Sequence, residues 1–165
     1  MSEEKIVGSL GATKPPNTLI KTTGAVKTEK ESSKCILLFT SRRLLVFEIG
    51  NESEMTGIVS WLMDYGKRKR QHEKQKKIEE AKSLDEILGA VEHFEVDYNY
   101  IEKVAFKKSF VNKILGTLPT LKIKISWNPT ILDKELVFFI DARHKYQDCL
   151  NLLRWTISTD LPRAF

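Results

Sequence analysis

Residues 35–50 read Cys-Ile-Leu-Leu-Phe-Thr-Ser-Arg-Arg-Leu-Leu-Val-Phe-Glu-Ile-Gly. Two apolar, β-prone runs, Cys35–Phe39 and Leu44–Ile49, flank the polar turn Thr40-Ser41-Arg42-Arg43. That pattern predicts an antiparallel hairpin. Both runs are almost continuously apolar, so both strands are expected to be largely buried. The rest of the chain reads as further strands, one cationic insertion and a closing helix.

Before the hairpin, Ile6, Val7 and Leu10 and then Leu19–Gly24 suggest one or two edge strands, separated by the Pro15-Pro16 break. The stretch from Val26 to Lys34 is polar and is expected to loop toward the hairpin. The period changes at Glu52. Ile58, Trp61, Leu62 and Tyr65 recur at i, i+3, i+4, i+7, one face of a helix. Ser53 is placed to cap it. Ser83-Leu84-Asp85-Glu86 is a capping box that starts a second short helix, through about Val91.

Strands then resume at Phe94–Tyr98 and Ile101–Phe106, with Val104 and Phe106 on one face and Lys103 on the other. Lys107–Thr120 is expected to be a loop, broken by Gly116 and Pro119. Leu121, Ile123, Ile125 and Trp127 alternate with Lys122, Lys124 and Ser126, and the strict period of two points all four apolar residues at a core. Leu136–Ile140 is the expected antiparallel partner. A helix from about Ala142 to Ile157 follows, with Tyr146, Cys149, Leu150, Leu153 and Ile157 as its apolar stripe, and Pro162 ends any continuation.

Charge is concentrated in one place. Residues 67–77 hold seven basic side chains and one acidic, a local +6 in a chain whose net charge is +5, leaving −1 for all the rest. The length suits a single domain over 1–165, with 52–93 as a helical, strongly basic insertion. No apolar run nears the roughly 20 residues of a spanning helix. The charged N-terminus lacks a secretory core. The expected location is therefore cytoplasmic, peripheral at the inner membrane face if the partner is a bilayer.

The order of elements, several antiparallel strands and then one amphipathic C-terminal helix, resembles the pleckstrin-homology-like (PH-like) fold of bacterial-type domains. Leu37–Phe47 is similar to their apolar-Thr-x-x-Arg-Leu hairpin, and Val96–Val104 to their Pro-Tyr-x-x-Ile-x-x-Val strand, with Asp97 where Pro is common. The resemblance covers roughly residues 1–50 and 94–158. It implies an α+β fold, an antiparallel PH-like β-barrel or sandwich closed by a C-terminal helix. Residues 52–93 depart from it, since such domains have a short connection there. It also implies binding of lipid headgroups or proteins, and not chemistry.

The residues themselves point the same way. His72, His93 and His144 have no ligand spacing, and Cys35 and Cys149 read as small buried apolar residues. Gly8–Lys14 lacks the Gly-Lys-Ser/Thr ending of a phosphate loop, and prolines follow it. No catalytic group, metal or cofactor is expected. The candidate contact residues are Trp61 and Tyr65 with the cations Lys67, Arg68, Lys69, Arg70, Lys74, Lys76 and Lys77. Aromatic residues favour a membrane interface, and each cation near an anionic surface adds about 1 kcal/mol. Lys107, Lys108 and Lys113, interleaved with Phe110 and Val111, form a second candidate. The expected partner is an anionic phospholipid surface or an acidic protein surface. Non-specific nucleic-acid binding by the same basic helix is the alternative. A third reading is self-association through the apolar face of the Glu54–Tyr65 helix.

Overall fold

The computed structural model describes residues 4–15, 19–22, 25–28, 32–51, 69–78, 80–81, 83–112, 116–127, 135–141 and 143–157. The strands are β1 (Ile6–Lys14), β2 (Leu19–Thr22), β3 (Ala25–Thr28), β4 (Ser33–Thr40), β5 (Arg43–Asn51), β6 (His93–Asp97), β7 (Ile101–Asn112), β8 (Gly116–Ile125) and β9 (Glu135–Ile140). Helix α1 covers residues 69–78, α2 covers Leu84–Ala90 and α3 covers Tyr146–Thr156. A single 3-10 turn, Tyr98–Tyr100, joins β6 to β7.

Seven strands form one antiparallel sheet in the order β6-β5-β4-β1-β9-β8-β7. β2 and β3 form a separate ribbon, so part of the stretch read as a polar loop is a strand. β1 is not an edge strand as its sequence suggested. It lies in the middle of the sheet, paired along its length with β4 and at Ala12 and Thr13 with β9. The expected hairpin is present, with Leu37 opposite Val46 and Phe39 opposite Leu44.

The sheet is not a closed barrel, because its two edge strands, β6 and β7, are not hydrogen-bonded to each other. Yet those edges are consecutive in the chain, separated only by Tyr98–Tyr100. Even fully extended, the link from Asp97 to Ile101 spans no more than about 14 Å. Seven flat strands would hold their outer members about 29 Å apart. The sheet must therefore curl until its first and last strands are near neighbours. One core fills the curl, taking Leu37, Phe39, Leu44 and Val46 from one side, Ile123, Ile125 and Phe138 from the other, and Cys149, Leu150 and Leu153 from α3.

α3 is fastened to both halves. The Tyr146 ring stacks on Phe106 at 4.8 Å, and its hydroxyl donates to the Phe106 carbonyl at 3.2 Å. Leu152 lies where a side chain at Gly8 would stand, a Cβ there coming within 2.8 Å of its Cδ1, so the glycine lets α3 pack closely on β1. The lead-in to α3 is held as well. The Gly11 N–H donates to His144 Nε2 at 2.9 Å, and the Asp141 N–H donates to the Gly11 carbonyl at 2.9 Å.

The unbroken apolar runs of β4 and β5 have a simple cause. Alternate residues face opposite sides of a strand. Cys35, Leu37, Phe39, Leu44 and Val46 enter the main core. Leu38, Leu45 and Phe47 point the other way, into a second cluster with Ile78 of α1, Ile87 of α2 and Val91. The insertion thus covers the outer face of the hairpin. Helix α2 begins as the sequence predicts, with the Ser83 side chain accepting from the Glu86 N–H at 3.3 Å.

Two further expectations are overturned. Lys107–Thr120 is not a loop: most of it lies in the long β7–β8 hairpin, with Lys107 opposite Thr120 and Asn112 opposite Gly116. Trp127 does not face the core. It lies just past the end of β8, is 57% exposed, and meets Tyr100 edge-on at 5.3 Å. The period of two was right through Ile125 and stopped there.

Candidate functional site

Helix α1 is amphipathic in an unusual sense, since its inward stripe is mostly polar. Gln71, Lys74 and Gln75 are half-buried and Ile78 is buried, at i, i+3, i+4, i+7. Ile78 is the single large apolar anchor of the stripe, and Gln71 lies across Gly50 at the end of β5, where a Cβ atom would come within 2.7 Å of its Cγ. Ile78, with Ala81 beside it, joins the helix to the cluster on the outer face of the hairpin, and Gln71 lies over Gly50.

The outward face carries the charge. Lys69, Arg70, His72, Glu73, Lys76 and Lys77 are exposed. Lys69 and Lys76, like Arg70 and Lys77, are seven residues apart, so each pair shares one side of the helix at a spacing of about 10 Å. Glu73 sits between them on the wheel, and Lys76 reaches Glu80 at 3.6 Å. The result is an open face with four cations and one central carboxylate. Lys74 is the exception among the predicted cations, turned partly toward the sheet. Trp61, Tyr65, Lys67 and Arg68 lie outside the described residues.

Lys107 and Lys108 are exposed, but on an edge strand and not on a loop. Lys108 holds its ammonium 5.4 Å from the Tyr146 ring centroid. Lys113 lies outside the described residues. β5 and β7 both run away from the Thr40–Arg43 end of the sheet, so α1 at Gly50 and the basic half of β7 lie toward the same opposite end.

The Thr-Ser-Arg-Arg turn is structural. Thr40 Oγ1 accepts from the N–H groups of Arg42 at 3.2 Å and Arg43 at 3.0 Å. The Tyr98 hydroxyl donates to the Thr40 carbonyl at 2.9 Å. Burial pushes the Tyr98 phenol well above its ordinary range, and the Glu4 charge acts in the same direction. It is a neutral structural donor. Arg43 bridges Glu4 and Glu95.

Catalytic constellations do not assemble among the described residues. His144 serves the Gly11 N–H, and His93 Nδ1 lies 3.0 Å from the Val91 carbonyl. Cys35 and Cys149 are free and buried. Burial, with Asp148 beside it, raises the Cys149 thiol, the reverse of what a thiolate nucleophile requires. No group of three or more His, Cys, Asp or Glu could hold a metal ion among the described residues, and no described helix is long and apolar enough to cross a membrane.

Sequence reasoning missed one buried charge. Lys14 is 1% exposed, paired with Glu48 and 5.5 Å from the Phe94 ring centroid. Nothing in the Thr13-Lys14-Pro15 context marks it as interior. Comparison with known proteins adds no relative: no family model, curated protein or solved structure matches the chain significantly.

Proposed function

We propose that the chain is a non-enzymatic, PH-like binding module that docks on an anionic phospholipid surface through the outward face of α1. The carrying observation is the preorganised cationic face: Lys69, Arg70, Lys76 and Lys77 exposed on a helix that Ile78 fastens to the sheet. Such charges contribute little to folding when exposed. Together they dominate attraction to an oppositely charged surface. The PH-like reading is supported by the curled sheet built from two meanders, β1-β4-β5-β6 and β7-β8-β9, with α3 set against both. In this reading the module sits at the cytoplasmic face of a bilayer, and an acidic protein surface is the alternative partner.

Cosedimentation with phosphatidylserine-containing vesicles tests it. The wild-type chain is expected to bind at low salt and to release as salt shortens the screening length to about 8 Å near physiological strength. Replacing Lys69, Arg70, Lys76 and Lys77 by Gln is expected to abolish binding at unchanged melting temperature. Binding that survives the substitution would move the contact elsewhere, first to Lys107 and Lys108.

Nucleic acid would meet the same face. Among the described residues, α1 has no aromatic side chain besides His72 to stack on bases, so such binding would be non-specific. A gel shift at physiological salt without retardation would remove it.

A further inference from the structure

Five large apolar side chains are exposed among the described residues: Ile6 and Val7 at 46%, Tyr100 at 40%, Trp127 at 57% and Trp155 at 85%. Single exposed apolar residues are ordinary on any protein surface. These five come from four separate segments and gather at one end of the sheet. Ile6 pairs with Thr40, Arg43 with Asp97, and Ile101 with Ile125, which brings the start of β1, the β4–β5 turn, the 3-10 turn and the end of β8 together. The last turn of α3 reaches the same end, with Leu152 against Gly8 and Thr156 beside the Tyr98 phenol. α1, by contrast, crosses Gly50 at the opposite end.

We propose that this aromatic end is the surface through which two copies of the chain associate. The inference does not depend on what α1 binds.

Charge selects a second copy as the occupant. The chain carries +5, and residues 67–77 alone carry +6, so contact through the insertion would oppose like charges. At the aromatic end the charges are matched locally. Arg43 bridges Glu4 and Glu95 while Arg42 adds its charge beside Glu4, two cations to two carboxylates, and Lys124 pairs with Glu102 at 2.9 Å. Asp97 accepts from the Asn99 N–H at 2.8 Å. Two copies meeting there bring together apolar surface and keep their cationic helices at the far ends. A two-fold contact of this kind uses one patch twice and needs no second complementary surface.

The residue types fit as well, since Trp and Tyr are enriched among side chains that dominate interface energy. They are held ready. Trp127 lies edge-on to Tyr100, and Ser126 donates to the Tyr100 carbonyl from both its N–H at 2.8 Å and its hydroxyl at 3.1 Å. Rigid aromatic side chains lose little conformational freedom on contact.

Sedimentation velocity on the full chain, from low to high micromolar, tests the proposal. Reversible dimerisation is expected, undiminished in high salt because it buries apolar surface. Trp127→Ser with Trp155→Ser is expected to weaken it by at least about tenfold, a loss typical of one or two interface anchors. Val7→Lys, which would set two cations across the two-fold, is expected to weaken it independently should the double variant fold poorly. A chain that stays monomeric overturns the proposal. So does a dimer indifferent to all three substitutions, or one dispersed by salt. A monomer that cosediments with neutral phosphatidylcholine vesicles would also overturn it, and would assign the aromatic end to a bilayer.

Discussion

Arg43 clasps Glu4 at two points, Nε donating to Oε1 at 3.1 Å and Nη2 to Oε2 at 3.0 Å. Thr40 Oγ1 lies 2.6 Å from the same Oε1, so a residue two positions before β1 is tied to the turn of the β4–β5 hairpin. Burial raises the Glu4 carboxyl, but hydrogen bonds from Arg43 and Thr40 and the Arg43 charge outweigh it, and the group ionises below its ordinary value of 4.5. A carboxyl lowered in the folded state stabilises in full above 4.5. That contribution declines as the pH falls below 4.5 and is gone below the lowered folded value. Glu4→Gln should therefore cost about 1 kcal/mol at neutral pH and flatten the acid limb of the stability profile. Thermal melts from acid to neutral pH check this, and parallel profiles for the two proteins would refute it.

Ile78→Ala should destabilise by about 2 kcal/mol, the low end for a buried isoleucine because the site is at the margin of its cluster. Replacing residues 67–82 by a short linker should be worse, because it uncovers Leu38, Leu45 and Phe47. Urea unfolding measures both. A response to Ile78→Ala no larger than to Lys77→Ala would mean the helix is not anchored there.

Ile123→Ala and Trp127→Ala should separate sharply although both lie on the same sequence pattern. Ile123 is 0% exposed in the main core and its truncation should cost about 3 kcal/mol. Trp127 is 57% exposed and meets Tyr100 edge-on, a contact worth about 1 kcal/mol. Equal losses would place Trp127 inside the fold after all.

His144→Ala removes the acceptor of the Gly11 N–H and should cost about 1 kcal/mol, since a strand amide loses its partner. Faster hydrogen exchange at Gly11 than at Ala12 is the specific signature. Unaltered exchange in the variant would show the bond is incidental.

Much of the fold was legible wherever one face of a strand or helix was apolar. The β4–β5 hairpin, the alternation of Leu121, Ile123 and Ile125, the Ser83 cap and the Tyr146–Leu153 stripe all follow from local pattern. The misses have a common cause, which is that pairing is not local. β1 is central because β9 returns to it across more than half the chain, and Lys107–Asn112 is a strand because Gly116–Thr120 pairs with it. The cations of α1 were legible as a cluster. Their orientation was not, since it depends on Ile78 joining the cluster of Leu38, Leu45 and Phe47 and on Gln71 lying over Gly50. The aromatic end was invisible, because its members are scattered from Ile6 to Trp155 and only the folded topology gathers them.

The two-sided burial of β4 and β5 also bears on how the chain reaches its native state. A nascent meander can bury Leu37, Phe39, Leu44 and Val46 by pairing and collapse, yet it still presents Leu38, Leu45 and Phe47 to water. Until residues 69–91 come down on them, that intermediate is a sticky sheet, open to other unfinished chains. A weakened Ile78 seat should therefore show itself first as poor yield and aggregation on refolding, at protein concentrations where the finished molecule is still soluble.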